Sequence, residues 1–308
     1  MKIKLLLFVI LFITLHCSLS AQHQEIGEKP KIYKRQQRAN LPDSLSIVYA
    51  FHKGTLQGNF RYYFMSTDNR SPLTDYYANA FGGGIKYETA PFKGFQFGLS
   101  GIYIFNLLSS NLSKKDSLSN ASNRYEIGLF DIENPDNKNN LAHLEEFYLK
   151  YNFKKNTIYL GKHLINTPFI NLQDGRMRPT VVGGLWLELN LIKNTKIEMG
   201  WFNTIIPRST TKWVSLENSV GLYSMGVNED GTKSNYKNNL RTNGAGLIGI
   251  SSNFGKNIKL QCWNIIFDNV FNASLVQLDY SKPLDKKLAL IAAIQAIGEF
   301  AINNVGNS

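Results

Sequence analysis

Long and short connections take turns along most of this chain, and that sorting restricts its fold more than any other feature. The connected segments read as strands. Residues 54–67 place Leu56, Gly58, Phe60, Tyr62 and Phe64 on one face and Gln57, Asn59, Arg61, Tyr63 and Met65 on the other, a period of two. Residues 79–89 repeat it, with Phe81, Gly83, Ile85 and Tyr87 opposite Gly82, Gly84, Lys86 and Glu88. Similar segments follow at 95–105, 144–153, 157–165, 181–191, 195–205, 244–253, 258–267, 273–280 and 288–297, eleven in all. The patterns of the ninth and eleventh leave their facing open. Residues 90–94, 154–156, 192–194 and 254–257 make tight turns, whereas 68–78, 106–143, 166–180 and 206–243 are far longer. The exception is 268–272, a short link where a long one is due.

A soluble sandwich has no reason to sort its connections in this way. An up-and-down transmembrane barrel does, because its turns are short in the periplasm and its loops long outside. Most segments are about ten residues, the length a tilted strand needs to cross the hydrocarbon layer. No run of 18 apolar residues occurs beyond the N-terminal leader, which excludes a helical membrane protein. Alternation of lipid-facing and lumen-facing residues dilutes the mean hydropathy, here −0.21. A high aromatic content (Phe 19, Tyr 15, Trp 4) with Gly 24 and Pro 9 suits the same fold. The expected class is all-β, a transmembrane antiparallel up-and-down β-barrel.

The leader fixes the compartment. Lys2 and Lys4 form a basic head, residues 3–15 are almost entirely apolar, and Ser18, Ser20 and Ala21 follow, the pattern of a secretory signal peptide over residues 1–21. His16 rather than a small residue precedes Cys17, which argues against a lipid-attached N-terminus. Residues 22–44 carry Lys29, Lys31, Lys34, Arg35 and Arg38 and read as a basic periplasmic lead-in, with the barrel domain over 45–308. Setting Lys2 and Lys4 aside leaves 32 basic against 23 acidic residues, about +9. Export argues against nucleic acid as the partner of this charge and leaves anionic headgroups or an anion-attracting lumen. Cys262 is the one cysteine of the mature chain, so closure relies on hydrogen bonding and burial.

Facing assigns the wall. Arg61 and Lys86 alternate with aromatic residues on their strands and should point inward, as should Glu146, Tyr148 and Lys150 on the fourth. A cation facing lipid at the midplane costs about 2–4 kcal/mol, which favours that choice. Such charges either guide anions or simply keep the lumen wet by pairing with neighbours such as Glu88. Gly82, Gly83 and Gly84 precede no helix and no Lys-Ser or Lys-Thr, so they form no phosphate loop, and glycine beneath bulky aromatics explains them better. His143 and His163 lack metal-ligand spacing and stand near no patterned serine, so neither metal binding, a cofactor nor a catalytic residue is expected. Asn111 and Asn120 lie in Asn-x-Ser patterns that have no bearing in a Gram-negative host.

Residues 160–179, LGKHLINTPFINLQDGRMRP, resemble the OprD-type outer-membrane porin family, together with GNFRYYFM (58–65), LEEFYLKYNF (144–153) and VQLDYSKPL (276–284). The resemblance runs from about Gly54 onward. It implies an eighteen-strand barrel, often packed as a homotrimer in outer-membrane lipid, that passes small solutes such as amino acids, carboxylates or short sugars. It also implies that the third long loop folds inward, which maps Asp174, Arg176 and Arg178 onto a constriction. There the arginines either hold a carboxylate or phosphate by forked hydrogen bonds or pair with Asp174 and pin the loop to the wall, and Pro168 and Pro179 stiffen its ends. With eleven strands and no terminal aromatic residue, the chain reads as a C-terminally truncated copy. A non-conducting structural or surface-attachment barrel is the competing reading, and a barrel enzyme a third.

Overall fold

Alternation at period two dictates strands, and the computed structural model builds one from each of the eleven segments. It describes residues 43–303 except 140, 171, 173–175, 224–229, 233, 235 and 286–287. The signal peptide, residues 22–42 of the basic lead-in and Asp174 thus lie outside the described residues. The strands are β1 (Thr55–Thr67), β2 (Tyr76–Glu88), β3 (Phe95–Ser109), β4 (His143–Phe153), β5 (Asn156–His163), β6 (Val181–Ile192) and β7 (Thr195–Ile206). After them come β8 (Val214–Ser215), β9 (Ala245–Phe254), β10 (Ile258–Phe267), β11 (Phe271–Pro283) and β12 (Ala289–Ala301).

The count is twelve rather than eleven, because β8 lies inside the stretch read from sequence as one long loop. Its physical reason is the end of β7. Strand β9 pairs with β7 only as far as Phe202, and β8 takes up the pairing at Thr204 and Ile205. All other strands follow chain order, each antiparallel to the next, with β1 and β12 at the two edges of an open sheet. Every connection that follows β1, β3, β5, β7 or β10 therefore lies on one rim, and the long loops share it. The link between β10 and β11 is short, as its sequence indicates.

The two faces differ in chemistry. On the outer face Phe60, Phe81 and Phe105 form a row across β1, β2 and β3, with centroids 6.0 and 6.3 Å apart. Near the short turns a second aromatic group pairs Phe95 with Tyr151 at 4.5 Å and Phe97 with Phe147 at 5.4 Å. Gly83 lies under the Phe60 ring, where a Cβ would come within 2.8 Å of it. Lys162 faces outward close to the long-loop rim, and the Trp213 ring covers its ammonium at 4.4 Å.

The inner face is divided along the strands. Toward the long loops it is apolar and covered. Ala78, Ala80 and Ile104 pack there against Leu112, Ile127, Leu129 and Phe130 of the β3–β4 loop. Trp186, Phe202, Leu247, Trp263 and Ile265 pack against Phe169, Leu216 and Leu240 of later loops. Toward the short turns the same face carries Lys86, Glu88, Glu146, Lys150, Glu188, Lys196 and Glu198.

This division of faces is testable. Phe81→Arg, on the outer face in mid-strand, should destabilise the protein by about 2–4 kcal/mol in urea titrations from lipid vesicles. Gln277→Arg, facing inward, should cost far less. Equal costs would contradict the assignment of faces.

Candidate functional site

A chain crossing from β5 to β6 need not leave its own rim, yet residues 176–179 reach across the inner face to β1, β2, β3 and β4. The contact that holds them is an ion pair, Arg178 to Glu145 at 2.6 Å, with side chains 3% and 2% exposed. Strict alternation would turn Glu145 outward, since its neighbour Glu146 faces inward. A bulge prevents this: β3 pairs Ser100 with Glu146 and Gly101 with Leu144, leaving Glu145 as the extra residue. Both carboxylates thereby face inward. The two adjacent glutamates in LEEFYLKYNF are the sequence signal of the bulge, because a strand in lipid cannot turn one of them outward cheaply.

Around this pair three loops join. Met177 is buried against Gly82, where a Cβ would stand 2.9 Å from its Cε. The Arg61 guanidinium donates to the carbonyl of Arg176, whose backbone is left-handed at φ 41°. The Arg176 guanidinium donates in turn to the Tyr125 carbonyl at 3.0 Å and lies over Gly128. Gly128 sits in a short 3-10 helix, Glu126–Leu129, and any side chain there would collide with that guanidinium. Its carbonyl accepts from the Ser209 hydroxyl, and Asp131 accepts from Thr211 at 3.0 Å, which brings in the β7–β8 connection.

Below this joint lies the polar wall. Lys86 pairs with Glu146 at 2.8 Å, and Lys150 with Glu88 at 2.8 Å. The Tyr148 hydroxyl also donates to Glu88, and its ring occupies the space left by Gly98. Ser100 donates to Glu146 at 3.2 Å, and Gln96 to Glu88 at 3.2 Å. Further round the sheet Lys196 lies between Glu188 at 3.4 Å and Glu198 at 2.6 Å. The wall thus offers fixed charges of both signs, arranged in pairs whose members satisfy one another.

The structure therefore brings Arg176 and Arg178 together with Arg61 at the loop joint, and Lys86, Glu146, Tyr148 and Lys150 into one network beneath it. Sequence reasoning missed Glu145, Tyr125 and Gly128. His163 stacks on Tyr159 at 5.1 Å and His143 begins β4, each on the inner face.

One loop carboxylate is set apart. Backbone amides of Ser119 and Thr74, with the Ser119 hydroxyl, hold the Asp116 carboxyl well below the usual carboxylate range. Asp116 thereby ties the β3–β4 loop to residue 74 of the β1–β2 loop.

The family model for the outer membrane porin, OprD family, matches residues 50–299. This chain belongs to that family. As an OprD-family protein it takes its place in the bacterial outer membrane. Solved structures agree on the fold of this OprD-family chain. OccAB3 of Acinetobacter baumannii is 19% identical with a TM-score of 0.60, over 83% of this chain and 59% of that one. OccAB1 of the same organism is 16% identical with a TM-score of 0.60, over 81% and 53%. OpdK of Pseudomonas aeruginosa, crystallised with vanillate, is 13% identical with a TM-score of 0.57, over 82% and 58%. The OprD-family chain thus spans between about half and three-fifths of the length of these structures. No curated protein matches it.

One outcome follows for the joint and one for Asp116. Arg178→Ala leaves Glu145 buried without its cation and should cost about 3–5 kcal/mol in unfolding titrations, whereas Arg178→Met with Glu145→Gln should cost clearly less. Asp116 has a lowered folded pKa, so its stabilisation is complete above the ordinary carboxylate value of about 3.9. It is lost as pH falls through the folded value. Proteolytic nicking of residues 110–125 should stay slow at pH 5 and accelerate in stronger acid, and Asp116→Asn should remove most of that dependence.

Proposed function

We propose that the chain provides the wall and loop-narrowed lumen of an outer-membrane porin through which small charged solutes diffuse selectively. The observation that carries this is the crossing of residues 176–179 over the inner face, clamped by Arg178 and Glu145 above a wall of paired charges. Low-dielectric walls focus the field of such charges on whatever passes between them.

Because cations and carboxylates alternate on the wall, a solute bearing both signs, or one carboxylate with polar groups, can exchange its hydration for contacts of either kind. Amino acids, carboxylates and short sugars are the solute classes of this reading, and the vanillate found with OpdK is one such carboxylate. The outer wall then meets membrane lipid and the other subunits of a homotrimer. The chain acts as a channel and transforms nothing. Asp174, Arg176 and Arg178 narrow the passage, while Arg61, Lys86, Glu146, Tyr148 and Lys150 line it.

A non-conducting structural barrel is the second reading, favoured by the apolar packing of Trp186, Phe202 and Trp263 under the loops. Planar-bilayer recording of the complete barrel separates the two. Arg176→Ala with Arg178→Ala should raise single-channel conductance and lower anion preference in a salt gradient. That shift should shrink at 1 M salt, where the Debye length is about 3 Å. An unchanged conductance and reversal potential would remove these arginines from the passage, and no current from folded protein would favour the structural barrel.

A further inference from the structure

A helix of six residues, α1 (Ile47–His52), precedes the first strand, and its exposure is inverted relative to a helix in water. Ala50 is its buried residue, while Leu45 just before it and Ile47, Val48, Tyr49 and Phe51 within it are exposed, Leu45 at 94% and Val48 at 63%. Exposed apolar groups on a mobile tail would mean little, but this segment is fixed. The Ser46 hydroxyl caps the helix by accepting from the Tyr49 amide at 3.1 Å. The Ala90 amide donates to the Ala50 carbonyl at 3.0 Å, and the Ser44 amide to the Pro91 carbonyl at 2.8 Å, which ties the segment to the β2–β3 turn.

Its position relative to the wall points to what covers it. Phe51 lies 6.5 Å from Tyr87 and 6.5 Å from Phe97, ring to ring, and both of those are outward-facing residues at the short-turn end of β2 and β3. The Tyr87 hydroxyl donates to the Phe51 carbonyl. The apolar surface of the segment is therefore continuous with the lipid-facing wall. Cations stand at its margin: Lys53 lies over the Tyr49 ring at 5.6 Å, and Lys93 of the adjoining turn over Phe92 at 5.6 Å. The preceding sequence adds Lys29, Lys31, Lys34, Arg35 and Arg38. Apolar side chains continuous with an aromatic belt and bordered by lysines have the chemistry of a segment lying at a membrane–water interface.

We propose that residues 45–53 are a membrane-surface anchor, seated among the headgroups and upper acyl chains of the leaflet at the short-turn rim, with phospholipid as the partner. The aliphatic and aromatic side chains enter the leaflet, and Lys53 and Lys93 meet headgroup phosphates. This surface lies outside the lumen, so it stands or falls separately from conduction.

The test uses the full chain in isolated outer membranes carrying a photoactivatable phospholipid with the reactive group in the upper acyl chain, and maps adducts by mass spectrometry. Adducts on residues 45–51 should approach the yield found on the outward-facing Phe60 and Ile85. Ile47→Asp with Val48→Asp should lower the yield on the segment several-fold while leaving Phe60 and Ile85 unchanged. Adducts on the strands with none on 45–51 would overturn the proposal. So would cross-links from a photoreactive amino acid introduced at Val48 to a second copy of the chain or to another protein in place of lipid. Should the double variant fail to assemble, the unsubstituted chain decides the matter alone.

Discussion

Hydrocarbon offers no hydrogen-bond partner to a peptide group, so each strand in the wall must have its amides and carbonyls met by the strand beside it. The sequential meander follows from that requirement, since neighbours in the chain are the partners reached by the shortest turns. So does the two-residue strand β8. It supplies the end of β7 with a partner at Thr204 and Ile205, where β9 has already turned away. The facing of side chains along a regular strand is then a matter of parity, which is why one bulge in β4 can turn Glu145 inward beside Glu146.

What was legible in the sequence is what lipid imposes locally. Phe60 and Phe81 alternate with polar or small neighbours because one side of the sheet meets hydrocarbon, and the positions of the long strands follow from that pattern. The rim assignment was legible through loop length. The inner packing of the loops was not, because it joins residues far apart in the chain: Arg178 meets Glu145, and Arg176 meets Tyr125, across different loops. Arg178 could be placed in the third long loop by its neighbours, but Asp174 looked the nearer partner in sequence. Helix α1 escaped notice for another reason. Six residues give too short a window for helical periodicity, and its apolar face looks outward rather than toward a core.

The electrostatic design of the wall also depends on geometry that residue types do not reveal. From sequence, Arg61, Lys86 and Lys150 could either guide anions or pair with neighbours such as Glu88. In the folded chain Lys86 and Lys150 each have a carboxylate at 2.8 Å, and Tyr148, Ser100 and Gln96 supply further hydrogen bonds to the same carboxylates. Removing charges from water is costly unless each finds such partners, so a network of this kind is easier to bury than a row of one sign. The local potential then varies in sign over short distances along the wall.

Gly128 gives the loops a shared mechanical fate. Its bare Cα admits the Arg176 guanidinium from one side while its carbonyl receives the Ser209 hydroxyl, so three loops from separate strand pairs meet at one residue that has no side chain to adjust. Surface loops of barrels can ordinarily lengthen or shorten one at a time. Here an insertion near residue 128, 176 or 209 would displace all three together. Changes of loop length are therefore absorbed more easily in the stretches between these anchor points, and the joint separates outer segments that can shift singly from inner ones that must move as one body.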